Sequence, residues 1–225
     1  MNLFEVKNDL KSKVEPDVLE FVINKARTDA AIEYKLIEAV ENQDEQRIAQ
    51  LIQMTLTLKD IPANYTKGNF FAEGGTSVLY EMNENSNLLI KKGGGRFSVE
   101  AASLVELAMA GIPTVYVGQR HNEIIVTKIL GVGSKDIIGR QKQPKRVLEK
   151  AKFVTDKTVA DLDDIFEVLQ KNSLNVGDFQ FIVRESDGTV FINDPVSVTK
   201  GKGPSGKIRQ IIEIFKGIAN KNRQP

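Results

Sequence analysis

The chain has 225 residues, 41% of them hydrophobic, with 31 Lys and Arg against 30 Asp and Glu, one His, no Cys and no Trp. Zero Cys excludes disulfides, thiolate zinc sites, iron–sulfur clusters and a cysteine nucleophile, and a lone His121 excludes a multi-histidine metal site. A metal here would need oxygen ligands, which selects magnesium, manganese or calcium.

The net charge of +1 hides an uneven distribution. Residues 1–65 hold 12 acids and 8 bases, residues 158–195 hold 8 acids and 2 bases, and 140–157 and 200–225 are basic. An acidic block between basic ones suits a metal site beside phosphate-attracting surface. It does not amount to the footprint of a dedicated nucleic-acid binder, so nucleic acid is not an expected partner. No apolar run approaches the roughly 20 residues that cross a bilayer, so no membrane span is expected. The first ten residues carry Glu5 and Asp9 and lack the apolar core of a signal peptide. The expectation is a soluble protein, cytoplasmic or delivered by a specialised secretion system.

In chain order, residues 3–58 read as helices. Leu10, Val14, Leu19, Val22, Ile23 and Ala26 recur at helical spacing, Ile37, Ala39, Val40, Ile48, Leu51 and Ile52 continue it, and Pro16 suits a helix start. This helical extension, 1–65, ends at Ile61-Pro62 and has a partner-docking or delivery role open to it. The pattern then changes to short apolar runs: Phe70-Phe71, Val78–Met82 and Leu88–Ile90, separated by turn residues. A helix is predicted over Val99–Ala110 with a stop at Gly111, followed by strands at Thr114–Val117 and Glu123–Lys128. Residues 131–139 read as loop, 147–153 and 159–170 as helices. Phe181–Val183 and Val190–Ile192 form a hairpin across Asp187-Gly188, and the last helix falls near Ile208–Ile218.

Three features carry chemistry. Gly74-Gly75-Thr76-Ser77, before Val78, is a small-residue turn whose backbone N–H groups can approach a polyphosphate. Leu89 and Lys91 fall on one face of the third strand, an apolar residue and a lysine suited to an adenine ring and its phosphates. Glu100 on the next helix can hold that ammonium, with Lys92 and Glu106 as alternatives for the two roles. Last, Asp178 and Asp194 bracket the 181–192 hairpin, with Gln180 at its entry. Antiparallel pairing brings the three together, so one carboxylate can take a proton while another binds a cation.

In this order the features resemble the protein-kinase-like superfamily over about residues 69–198, the phrase Leu107-Ala108-Met109-Ala110-Gly111-Ile112-Pro113 being the most telling. The resemblance implies an α+β, reduced bilobal fold: a five-stranded antiparallel N-lobe over 66–130 and a truncated helical C-lobe over 131–225. It also implies ATP with Mg²⁺, or Mn²⁺ in its place. By position, Gly74, Gly75, Thr76, Ser77 and Val78 match the phosphate-covering loop, Lys91 the phosphate-gripping lysine and Glu100 its partner. Thr127, Lys128 and Ile129 match the adenine-binding hinge, Asp178 the catalytic aspartate and Asp194, in Asn-Asp-Pro, the magnesium aspartate.

The chain departs from the pattern. Val176 replaces the catalytic-loop histidine, Pro195-Val196 replaces Phe-Gly, and the magnesium asparagine is absent, its role falling to Gln180. Such trimming is similar to the minimal kinases that bacteria use as injected effectors or toxins, one group of which phosphorylates a eukaryotic heat-shock chaperone. The expected function is therefore ATP-dependent phosphotransfer to a protein substrate. The alternatives are a pseudokinase or nucleotide-binding interaction module, and a small-molecule kinase.

Overall fold

The structure, a computed structural model, describes residues 1–73, 77–93, 97–138 and 151–223. Among these are eight helices and ten strands, in two compact units: Met1–Met109 with Tyr116–Lys128, and Ala110–Val115 with Ile129–Pro225. The helix expected over 147–153 falls mostly outside the described residues. So do Gly74, Gly75 and Thr76, and the basic Arg140, Lys142, Lys145, Arg146 and Lys150.

The first unit opens with four helices, α1 (Leu3–Leu10), α2 (Pro16–Thr28), α3 (Ala30–Glu41) and α4 (Glu45–Thr57). Each start has a local cause. Asn2 and Glu5 form a capping box, Pro16 supplies a pre-set φ where no N–H is needed, and Asp29 and Asp44 accept from the first free N–H groups of α3 and α4. Their apolar faces, including Leu10, Val22, Ile23, Ile32, Leu36 and Leu51, are fully buried.

A five-stranded antiparallel sheet follows: β1 (Lys67–Glu73), β2 (Val78–Met82), β3 (Asn85–Lys92), β4 (Tyr116–Arg120) and β5 (Glu123–Thr127), in the order β1-β2-β3-β5-β4. The predicted runs all lie in this sheet except that the fourth strand begins later, at Tyr116. Leu88 and Ile90 of β3 join Met82, Val117 and Ile125 in one core cluster, against which Ile61 and Tyr65 pack. Strand alternation therefore gives Leu89 and Lys91 the opposite face. The helix α5 (Phe97–Met109) packs on α3 and α4 as well as on β4 and β5, so the front helices and the sheet share it. His121 occupies the exposed β4–β5 turn with φ 51°.

In the second unit, residues 131–138 are a correction to the expected loop: they form β6 (Gly131–Gly133) and the short α6 (Ser134–Ile138). Then come α7 (Asp156–Lys171), β7 (Leu174–Gly177), β8 (Phe181–Arg184), β9 (Val190–Ile192), β10 (Ser197–Lys200) and α8 (Gly206–Asn222). Two small antiparallel sheets result, β6-β8-β9 and β10-β7. Phe181 packs between Phe179 and Phe215, with ring centroids 5.4 and 5.0 Å away, which ties the hairpin to α8. At the hairpin tip Gly188 has φ +77°, and a Cβ there would stand 2.3 Å from the Thr155 hydroxyl oxygen, so both conformation and space require glycine.

Candidate active site

On the sheet, Lys91 is only 6% exposed, and its ammonium is hydrogen-bonded to the Glu100 carboxylate on the first turns of α5. The two residues proposed as alternatives are engaged elsewhere. Lys92 pairs with Glu123 at 2.6 Å, and Glu123 also accepts from the Tyr65 hydroxyl at 2.8 Å. Burial pushes the Glu123 carboxyl up, but Lys92 and Tyr65 outweigh it and hold it below its ordinary value. Glu106 is bound by Arg47 and Lys35.

Leu89 is buried opposite Val126 of β5. Val78 opens β2 opposite Glu73 and Lys92, and Ser77 precedes it, half-buried. Thr127 ends β5 opposite Leu88. Lys128 donates its N–H to the Asn87 carbonyl at 2.8 Å and its ammonium to Glu81 at 2.6 Å. Both the backbone N–H and the ammonium of Lys128 are therefore engaged within the sheet. Ile129, half-buried, begins the second unit's long segment.

In the second unit, register sets the geometry. Phe181 pairs with Ile192, and Ser197 with Gly177, so the loop 178–180 and the loop 193–196 leave the same end of the two small sheets. A Cβ on Gly177 would lie 2.7 Å from the Ser197 hydroxyl oxygen, so glycine admits this close pairing next to Asp178. The Gln180 amide nitrogen donates to Asp178 Oδ2 at 2.6 Å and to the Asp194 carbonyl at 3.4 Å. Of the three residues predicted to meet at the hairpin's entry, Gln180 thus touches the Asp178 carboxylate and the Asp194 backbone. Asp178 is held at φ 54°, a left-handed conformation that non-glycine residues rarely adopt and that collects at functional sites.

Sequence reasoning missed one residue here. Lys135 of α6 places its ammonium 2.9 Å from Asp178 Oδ2, and Ser134 beside it accepts the Phe181 N–H at 3.1 Å. Only a helix assignment for 134–138, five residues long, could have put Lys135 at this loop.

Among the described residues no cluster of three His, Cys, Asp or Glu forms a metal cage. Magnesium in phosphoryl transfer needs no such cage, because it keeps waters and substrate oxygens and takes one or two carboxylates. The donors here are all oxygens: Asp194, Asp178, and the amide oxygens of Gln180 and Asn193. Asn193 Oδ1 is buried without a hydrogen-bond donor among the described residues, next to Asp194, and Gln180 has turned its nitrogen toward Asp178. Hard oxygen donors with an unspent amide carbonyl fit a magnesium-sized cation.

A five-stranded antiparallel sheet with a helix glutamate on a strand lysine, in one chain with an aspartate-bracketed hairpin, defines a small protein-kinase-like fold. The type III secretion system effector HopBF1 kinase domain family matches residues 40–223, and the chain belongs to that family. It is thus a kinase-domain protein of the bacterial effector class. A search of curated proteins finds no match.

Proposed function

We propose that the chain transfers the γ-phosphoryl group of ATP to a hydroxyl of a host protein, as an effector acting in the cytoplasm of the target cell. The observation that carries this reading is the buried Lys91–Glu100 pair. A buried ion pair contributes little net stability, whereas a lysine fixed by a carboxylate is what phosphate binding needs.

Lys91 would hold the α- and β-phosphates and Glu100 would keep its ammonium in place. The turn 74–77, with Val78 and Leu89, would cover phosphates and ring, and Thr127, Lys128 and Ile129 would offer backbone groups to adenine. Asp194 would hold Mg²⁺, or Mn²⁺, with the amide oxygen of Gln180 or Asn193 as further ligand. The metal supplies charge neutralisation on the phosphates. Asp178 would orient the acceptor hydroxyl and take its proton as the oxygen–phosphorus bond forms and ADP leaves. Gln180 and Lys135 would fix the carboxylate, and Lys135 would add positive charge beside the transferring group.

A nucleotide-binding module without transfer is favoured by one observation. Asp178 already accepts from both Lys135 and Gln180, as a carboxylate not serving as a base could. One experiment separates the readings. The protein is incubated with Mg²⁺, ATP labelled on the γ-phosphate, and a dialysed eukaryotic extract. The kinase reading expects label in protein, lost in Lys91→Ala and Asp178→Asn. Label only in small molecules added back would assign a small-molecule kinase, and nucleotide binding without transfer would assign the module.

A further inference from the structure

A largely enclosed ion network lies on another side of α5 from the Lys91–Glu100 pair. Glu106, 6% exposed, takes both forks of Arg47, with Nη1 to Oε1 and Nη2 to Oε2 at 2.7 Å each. Lys35 stands 3.1 Å from the same carboxylate, and Glu38 balances the charge at 3.0 Å from Lys35 and 3.5 Å from Arg47. Lys35 is on α3 and Arg47 on α4, so a single α5 carboxylate is gripped from two front helices.

Apolar side chains of the same volume would hold these helices together as well or better. A bidentate guanidinium–carboxylate pair adds direction: it fixes the position and rotation of α5, where greasy contacts allow sliding. Glu100 and Glu106 are six residues apart, about 9 Å along the axis and about 120° around it. One side of α5 therefore meets β3 and another meets α3 and α4.

The front helices are themselves anchored to the sheet. Asp29, the buried cap of α3, lies 2.7 and 2.8 Å from the Tyr116 hydroxyl and accepts the Gln119 N–H of β4 at 2.8 Å. Arg120 of β4 donates to the carbonyls of Ile61, Pro62 and Ala63. The connections close into a ring: β3 to β5 to β4 through the sheet, β4 to α3 through Asp29, α3 and α4 to α5 through Glu106, and α5 back to β3 through Glu100.

We propose that Arg47 and Lys35 are positioning residues for phosphoryl transfer. By clamping Glu106 they hold α5 so that Glu100 stays on Lys91, and no phosphorylation or partner is needed to bring the helix in. The role rests on the reading of Lys91 as the phosphate-gripping lysine.

The test is a kinetic double-mutant cycle on the full chain, run below the melting temperature of every variant. Glu106→Gln, or Arg47→Lys if that variant does not fold, is expected to raise KM for ATP and lower kcat/KM about tenfold or more. Glu100→Gln is expected to do at least as much. The variant carrying both changes should lose no more than Glu100→Gln alone, because both act on one ammonium. Variants that melt earlier but keep wild-type kcat and KM, or a double variant that loses the product of the two single effects, would overturn the role and leave the kinase reading standing. A wild-type protein that neither binds nor turns over ATP would overturn both.

Discussion

Asp178 carries a conformational cost next to the Gln180 and Lys135 contacts of its carboxylate. Its φ of 54° places an L-side chain in the left-handed region, at about 1–3 kcal/mol. Glycine adopts that conformation without strain, so Asp178→Gly should abolish phosphoryl transfer while leaving the thermal midpoint unchanged or higher. A fall in midpoint of several degrees would mean that the carboxylate serves the fold. Gly188 is the converse case. With φ +77° and Thr155 and Thr158 crowding the missing Cβ, Gly188→Ala should cost roughly 1–3 kcal/mol by chemical denaturation. An unchanged denaturation midpoint would show that the hairpin tip can move away from the start of α7. At this scale the Lys91–Glu100 and Asp178–Gln180 contacts were readable from residue type and spacing. The contact of Lys135 was not, because its partner lies 43 residues away and its helix is too short to show a period.

Among elements, α5 is joined on one side to a strand and on another to two helices, and its buried charge gives those joints a pH dependence. Burial alone would push the Glu106 carboxyl up. The Arg47 fork and the Lys35 charge outweigh it and hold the group at about 2, against an ordinary value of 4.5. A depressed carboxylate contributes stability above its unfolded value and loses it as pH falls through the folded one. That corresponds to roughly 3 kcal/mol disappearing between about pH 4.5 and pH 2. Asp29 has the opposite sign: burial raises it despite the Tyr116 hydroxyl and three backbone N–H groups, so its contribution favours the lower pH. Urea unfolding of wild type and Glu106→Gln should therefore show a stability gap at pH 7 that narrows steadily toward pH 2.5. A gap independent of pH would mean that the network's charge is not what Glu106 contributes.

The helices other than α6 and the strands of the five-stranded sheet could be placed from periodicity because each is long enough to repeat a pattern. The strands β6, β7 and β10 could not, being three or four residues that pair with distant segments. Nor could the α5 clamp, because Arg47 and Glu106 meet across 59 residues and each alone reads as an exposed charge on a helix. The sequence still offered Glu106 as an alternative partner for the strand lysine, since only packing decides which of two glutamates on one helix faces a strand.

For the whole molecule, family membership over 40–223 and the five-stranded antiparallel sheet agree on a reduced kinase, and no described helix is long and apolar enough to cross a membrane. The proposed function assigns ATP binding to Lys91 and to Asp194, each of which can be tested by substitution. Thermal unfolding with and without ATP and Mg²⁺, for wild type, Lys91→Ala and Asp194→Ala, reads this directly. A ligand that binds only the folded state adds about 2.7 kcal/mol at a hundredfold excess over its dissociation constant. The account predicts a raised midpoint in wild type that both variants lose. No shift at millimolar ATP with either Mg²⁺ or Mn²⁺, or a shift that both variants keep, would contradict it.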